Sequence, residues 1–319
     1  MSAGGIQVDN RGRRFDLSET RESISTTIRQ QIDQARQLNR QRVVRDVISN
    51  LDQNEIGIAF LDVGQGNCAV VRLPTGETIV IDCNIKEANV DIVKFLKSCG
   101  VEKVDILVIT HPHTDHMSGL GDIAANFSVG RVWISPFERD VTNLPPESKQ
   151  EYEKFLRTIN IMERKGVPIE NPMASSKPYA HIGDVDIRVL SPSKDAPMEG
   201  EQQIHEASIV MDVRIGKFSA LFGGDLNEKG WDALAEKYNV KSTILNASHH
   251  GSDVGCNEKV VRRISPDYTV VSVGENMFGH PHEDAVKTYR DCSNKDVLFT
   301  DEGSVGFRGK KDGTTRVVQ

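Results

Sequence analysis

The chain is poor in the features that would place it quickly. Its 319 residues include only five cysteines, Cys68, Cys83, Cys99, Cys256 and Cys292, with no C-x-x-C pair among them. That spacing excludes a zinc knuckle built on paired cysteines and argues against a disulfide framework, so reduced thiols are expected. No apolar run reaches the length of a membrane span. Residues 1–14 are polar and arginine-bearing with no apolar signal core behind them, and the expected location is the cytoplasm. Positive charge is in deficit: 39 Lys and Arg against 46 Asp and Glu leave a net charge of −7. A broad basic surface for duplex nucleic acid is thereby excluded, since such binding rests on many Lys and Arg contacts to phosphates. A local positive site is compatible with this charge, because bound divalent cations would dominate the field inside an acidic cleft. No internal repeat or low-complexity tract interrupts the chain.

A hydrophobic content of 38 % is enough for a sizeable core, in one large α/β domain or two small ones. Three regions are expected. Residues 1–15 lack apolar periodicity and are read as a mobile N-terminus. Residues 16–54 form a helical arm: Asp16 and Glu19 make a capping pair, and Ile24, Ile28, Ile32, Ala35, Val44, Val47, Ile48 and Leu51 recur at helical steps over 18–51. Nine arginines and no lysine fall in the first 55 residues, so this helix either packs on its own domain or docks a protein partner or second copy. Residues 55–319 form the third region. There the texture predicts strands over 56–62, 68–73, 78–82, 131–134, 185–190, 208–215, 218–222, 243–245 and 268–273. Helices are predicted over 88–99, 147–165, 228–238, 258–264 and 283–291. Two sets of strands with helices between them suggest two sheets packed face to face.

The densest chemistry is Thr110-His111-Pro112-His113-Thr114-Asp115-His116, directly after the apolar run 104–109. His111 and His113, two apart in extended chain, can turn toward one cation, while Asp115 and His116 lie further round the turn and can reach another. Imidazole and carboxylate suit zinc and similar divalent ions. A purely structural role would gather four titratable groups at a buried strand end without purpose. Four other segments share this grammar of a strand followed by polar residues. Gly223 and Gly224 give the backbone room to swing Asp225 out of a sheet edge, as a candidate bridging ligand. Ser248-His249-His250-Gly251-Ser252 offers an imidazole to complete a second metal. Gly279-His280-Pro281-His282 follows the strand ending at Val273, and Asp62-Val63-Gly64-Gln65-Gly66-Asn67 is a glycine-rich turn between the first two strands.

Taken in order, these segments and the Ile81-Asp82-Cys83-Asn84 strand end resemble the metallo-β-lactamase fold. Within it they resemble the branch typified by the catalytic domain of the DNA-uptake protein ComEC and by a phosphorylcholine esterase. The match spans about residues 56–310 and leaves the N-terminal arm outside. The resemblance implies an α/β fold, an αββα four-layer sandwich of two mixed β-sheets with helices outside. It implies two divalent metal ions, zinc first and manganese second, with His111 and His113 at site one. Site two would take Asp115, His116 and one of His249 or His250, with Asp225 bridging; His250, which abuts Gly251, is favoured, with His249 behind it. Asp82 would orient a ligand imidazole by a hydrogen bond, and Asn67 and Ser252 would lie behind the ligands. The branch usually carries Asp where Asn67 stands and Gly where Asn84 stands; Asn84 tolerates the left-handed conformation such a turn needs. It commonly lacks a third histidine at site one, which His205 would restore. His181 is read as an exposed turn residue and His282 as a structural residue one turn into a helix.

Two cations about 3.5 to 4 Å apart would acidify a bridging water to hydroxide near neutral pH. Phosphodiester hydrolysis is the expected activity, of a phosphodiesterase or nuclease acting on single-stranded nucleic acid or a nucleotide. Asp115, His249 and His280 are the residues expected to act in catalysis, His280 as donor to the leaving oxygen or clamp for a phosphate oxygen. Hydrolysis of a small ester, lactone or phosphocholine-type group is the alternative enzyme. A non-catalytic subunit binding a partner through the arginine-rich helix is the alternative of a different class.

Overall fold

The computed structural model describes residues 6–8, 14–16, 26–27, 42–86, 88–196, 203–255 and 257–319. They fall in two units, 1–42 and 43–319. In the first, Ile6–Val8 (β1) and Arg14–Asp16 (β2) pair antiparallel, with Ile6 opposite Asp16. Most of the helix expected over 18–51 lies outside the described residues. Residues 26–27 of it are helical, and so is its last part, residues 42–48 (α1), which gives way to a bend before Leu51.

The second unit holds two large sheets. Its strands are β3 (Glu55–Phe60), β4 (Ala69–Arg72), β5 (Thr78–Ile81), β6 (Lys103–Val104), β7 (Ile106–Ile109), β8 (Ser128–Val129), β9 (Val132–Ile134) and β10 (Ile169–Glu170), then β11 (Ala180–Ile182), β12 (Val185–Ser191), β13 (Val210–Ile215), β14 (Phe218–Phe222), β15 (Ile244–Asn246), β16 (Tyr268–Val271), β17 (Asp296–Phe299), β18 (Val305–Lys310) and β19 (Thr315–Val318). The helices are α2 (Ile92–Ser98), α3 (Thr114–Met117), α4 (Leu120–Asn126), α5 (Pro146–Arg164), α6 (Glu228–Lys237), α7 (Glu258–Ile264) and α8 (Glu283–Cys292). One sheet runs β10-β9-β7-β5-β4-β3-β18-β19 and the other β11-β12-β13-β14-β15-β16-β17, while β6 and β8 form a short separate pair. Strands β5, β7, β9 and β10 are parallel, as are β14 to β17; the remaining ladders of both sheets are antiparallel.

The strands read as continuous apolar runs because both of their faces are buried. In β3, Ile56, Ile58 and Phe60 point into the core between the sheets, where they meet Met211, Val213, Phe218 and Phe222. The period of two sends Ala59 and the following Leu61 to the opposite face, into a second core with Val44, Val47, Ile48, Phe95, Leu96, Leu120 and Phe155 of the helices. A third core packs Trp231, Leu234, Val261, Ile264 and Tyr289 of α6, α7 and α8 against Leu221, Leu245 and Val271. Three cores between four layers make the αββα sandwich. Helix starts are set locally: Asp91 accepts from Lys94 N at 3.0 Å and Asn227 from Gly230 N at 3.1 Å, each satisfying a first-turn amide.

Three local expectations are corrected. Asn84 does not take the left-handed conformation; Asp82 does, at φ 55°. The Asn84 amide instead donates to the carbonyls of Val63, Gln65 and Lys86, tying down the glycine-rich turn. His181 lies on strand β11, not in a turn, with Nδ1 2.6 Å from Asp186 Oδ1. His282 is the cap residue of α8 and not inside it; its amide donates to Gly251 O at 2.9 Å. Strands β17 to β19 carried no alternating signal, and β18 enters the sheet by pairing with β3, Val305 opposite Phe60, across most of the chain.

Helix α1 sits on two glycines. A β-carbon at Gly57 would lie 2.3 Å from Val47 O, and one at Gly306 would lie 2.6 Å from Val47 Cγ2. Arg308 donates to the carbonyls of Asp46 and Ser49 at the end of the helix. Gly57→Val is therefore expected to overpack this contact and cost about 1–3 kcal/mol. A urea midpoint equal to that of the wild type would show that α1 does not bear on Gly57.

Candidate metal centre

Most of the chemically active segments leave the carboxyl end of a parallel strand, the exceptions being His205, which precedes β13, and the Asp62–Asn67 turn after the antiparallel β3. Asp82 follows β5, His111 follows β7, Asp225 follows β14, His249 and His250 follow β15, and the loop to His280 follows β16. In open α/β sheets such ends carry no covering ladder and present their loops to one crevice. After β7 the chain bends at His111 and Pro112 and reaches His113, the extended cap residue of α3, and this short helix then carries Asp115 and His116. Gly224, at φ 51°, lets Asp225 turn inward: a β-carbon there would meet Ser208 Oγ at 2.8 Å. His249 and His250 both have positive φ, 52° and 54°, an uncommon conformation for side-chain-bearing residues.

These turns produce two adjoining groups of donors, His111, His113, His205 and Asp225 in one, and Asp115, His116 and His250 in the other. In the first, His113 Nδ1 is 3.0 Å from His111 Nε2 and 3.2 Å from His205 Nε2. In the second, His116 Nε2 is 3.3 Å from His250 Nε2, which is 3.2 Å from Asp115 Oδ2. Asp225 lies between them, with Oδ2 3.6 Å from His111 Nε2 and Oδ1 3.3 Å from His116 Nε2.

The hydrogen bonds behind the rings fix which nitrogens face inward. His116 Nδ1 donates to Asp82 Oδ2 at 2.7 Å, and His250 Nδ1 donates to Ser272 O at 2.9 Å. In the neutral form that binds a metal each ring has one N–H, so both inward Nε2 atoms would then carry lone pairs pointed at each other. Lone pairs at that distance repel unless positive charge lies between them. The Asp225 Oδ1 atom is likewise buried with no hydrogen-bond partner. Inward lone pairs, an orphan carboxylate oxygen and a set of imidazole and carboxylate donors fit divalent cations.

The electrostatics agree. Burial disfavours the imidazolium of His116, yet the carboxylates of Asp225, Asp82 and Asp115 outweigh it and lift its pKa well above the ordinary value. Burial likewise opposes ionisation of Asp225, but His116, His250 and His111 hold its carboxyl well below the usual range. The second group is thus a negative pocket that demands positive charge. Burial, then the charge of His116, pushes His111 well below its ordinary value, and burial takes His205 down to about 3 even against Asp225. Both are neutral, the form that binds a metal.

The other expected site residues fall around these groups. Asp82 accepts from Thr110 N at 2.8 Å and Thr110 Oγ1 at 2.9 Å as well as from His116. Asn67 is buried, its backbone N–H donating to Asp115 O at 3.1 Å while its side-chain Oδ1 has no partner. The Ser252 hydroxyl faces Asp253 and the Val254 amide, and its backbone amide donates to His249 O. His249 stands outside both donor groups, its ring 4.3 Å from that of His205 and 5.4 Å from that of His280. His280 is at the rim. A cleft of about 450 Å³ opens over the centre, lined by His113, Asp115, His205, Asp225, His249 and His280 together with Gln65, Arg139 and Phe278. Sequence reasoning missed Thr110 and Ser208, whose hydroxyls lie 3.2 and 3.3 Å from His111 Nδ1, and also Ser272, Arg139 and Phe278. Only Thr110, adjoining the histidine motif, had a signal to be found by.

The Metallo-beta-lactamase superfamily pattern matches residues 61–275, and the chain belongs to that superfamily, whose members are generally hydrolases. Within it the chain is ComEC-like. It is 25 % identical over 273 residues to ComE operon protein 3 of Bacillus subtilis (strain 168), covering 79 % of this chain and 33 % of that protein. It is also 25 % identical over 234 residues to Competence protein ComA of Neisseria gonorrhoeae, covering 72 % and 29 %. The chain thus spans about a third of the length of these relatives. A shorter similarity, 30 % over 128 residues and 39 % of each chain, is to Ribonuclease Z of Clostridium beijerinckii.

Asp82 touches the centre only through His116 and Thr110. Asp82→Asn is expected to leave the fold in place and weaken the binding of a divalent metal ion by about 10- to 100-fold, as the loss of a carboxylate behind a ligand imidazole does. Competition titration against a chromophoric chelator measures this. Wild-type affinity in the variant would remove Asp82 from the assignment.

Proposed function

We propose that the chain is a binuclear metal-dependent phosphodiesterase or nuclease. The observation that carries this reading is the place of Asp225, one carboxylate with an oxygen toward each of the two donor groups. His111, His113 and His205 would hold one cation and Asp115, His116 and His250 the other, with Asp225 shared between them. The imidazole-rich set favours zinc, with manganese as the second choice. When bound, such cations lower the pKa of water and draw charge from a phosphoryl oxygen.

The protein's own groups do the rest. Asp82 and Ser272 O hold His116 and His250 in the tautomer that turns Nε2 inward. Asp115 presents its carboxylate to the cleft beside His250. His280, at the rim next to His249, donates a hydrogen bond to the leaving oxygen or to a non-bridging phosphate oxygen. Arg139 brings a guanidinium to the cleft wall, its Nη1 held by Pro112 O at 3.2 Å, and suits a phosphate oxygen. The similarity to a protein named ribonuclease Z supports a phosphodiester over a lactone or carboxylic ester. No helix among the described residues is long and apolar enough to cross a membrane. The reading places the enzyme in the cytoplasm; Val44, Val47 and Ile48 at the end of the 18–51 arm pack on the catalytic domain, and docking to a protein partner or second copy is assigned only to the part before them.

Asp225→Ala removes the shared carboxylate. The purified variant is expected to lose metal, measured by plasma mass spectrometry, together with hydrolysis of bis-p-nitrophenyl phosphate; full metal content and full rate would overturn the assignment. His280→Ala is expected to keep its metal and lose roughly 10²-fold in rate. Loss of metal from that variant would make His280 a ligand, and an unchanged rate would make it structural.

A further inference from the structure

The loop after β16 carries two large apolar side chains that the fold leaves uncovered. Met277 is 99 % exposed and Phe278 73 % exposed. The loop is nevertheless held in place. The Asn276 amide donates to Gly274 O at 2.8 Å and His280 O at 2.7 Å, and its Oδ1 accepts from Phe278 N at 3.0 Å and His280 N at 3.1 Å. At the start of the loop, Gly274 lies so close to the glycine-rich turn that a β-carbon would meet the Gly64 carbonyl carbon at 2.4 Å. Phe278 is therefore presented in a defined position. Its ring stacks on that of His280, with centroids 6.0 Å apart and planes at 24°. The His280 ring is in turn 5.4 Å from that of His249, whose Nε2 lies 3.9 Å from Asp225. A series of rings thus leads from the donor groups out to solvent along one cleft.

An ordered aromatic ring left in water forgoes the burial that such a side chain usually gains, which marks a contact surface. Charge decides what it contacts. With a net charge of −7, affinity for a polynucleotide cannot come from broad neutralisation of phosphates. Stacking of a base on an aromatic ring needs no net positive charge and accepts any base. It does need an unpaired base, because a duplex keeps its base faces covered.

We propose that Phe278, backed by His280, stacks a nucleobase next to the phosphodiester in the cleft, so that the substrate is single-stranded nucleic acid or a small nucleotide. The proposal rests on the phosphodiesterase reading of the same site. Its test is equilibrium binding of a short single-stranded oligonucleotide bearing 2-aminopurine and uncleavable methylene-phosphonate linkages to the metal-loaded enzyme, followed by fluorescence. The wild type should quench the probe and bind it about tenfold or more tightly than the same strand with an abasic residue in place of the base. Phe278→Ala should abolish both the quenching and that preference, and Phe278→Trp should keep them. The unfolding midpoint checks that the variants are folded; if Phe278→Ala is not, the base-bearing and abasic strands compared on wild type decide alone. Equal binding of those two strands by the wild type, or an unchanged preference in folded Phe278→Ala, would overturn the proposal. Hydrolysis of bis-p-nitrophenyl phosphate separates the two ideas: turnover without base preference refutes the stacking only, and base preference without turnover supports the stacking while refuting the phosphodiesterase.

Discussion

Asp225 is 2 % exposed, and one of its carboxylate oxygens has no hydrogen-bond donor. A carboxylate taken out of water loses several kcal/mol of solvation unless opposite charge or donors replace it. Here the replacement comes from imidazoles: His111, His116 and His250 each bring Nε2 within 3.3–3.7 Å of it. With Asp82 and Ser272 O taking the Nδ1 hydrogens of His116 and His250, these two rings can turn an N–H toward Asp225 only as imidazolium, so either protons or metal cations must bring the positive charge. The buried carboxylate and the inward lone pairs are therefore satisfied together by one thing, positive charge placed between them. The strained turns at Asp82, His249 and His250 are conformations that serve this convergence.

The sandwich makes the convergence possible. Both sheets run a block of parallel strands, and both blocks end at the same edge, so loops from two sheets share a floor. Three apolar cores hold the sheets and their covering helices in register. A site on rigid strand ends keeps its ligands in place without induced movement. Small residues are required where loops cross: Gly224 against Ser208, and Gly66, where a β-carbon would lie 2.4 Å from Asp115 O. A side chain at Gly66 would displace Asp115 itself, and one at Gly224 would displace Ser208 and Thr110, whose hydroxyls lie against His111.

Much of this was readable in one dimension. The strands around the site are apolar runs bounded by Gly, Pro and Asn, and α2, α6 and α7 carry their own side-chain caps, so these elements follow from local spacing. His111, His113, Asp115 and His116 lie within six residues, which makes the cluster visible without a fold. Other parts were not legible for equally physical reasons. The β3–β18 ladder joins Phe60 to Val305, and backbone pairing at that distance leaves no periodic trace. Asn84 looked like the residue built for a left-handed turn, but its amide is better used bridging three carbonyls, and Asp82 takes the strained conformation while accepting from His116. Phe278, in a loop without pattern, could only be recognised once its neighbours were known.

By itself the sequence determined the residue types and their local order: which segments around the site are strands, that most active segments follow one, and that the chemistry is imidazole and carboxylate. These are short-range properties, set by side-chain period and backbone preference. Only the tertiary structure decided which groups meet. His205 reaches His113 across 92 residues and His250 reaches His116 across 134, distances over which no sequence spacing fixes geometry. It also decided that His250 and not His249 turns into the centre, because the His250 ring is held from behind by Ser272 O, a partner 22 residues away that local sequence does not specify.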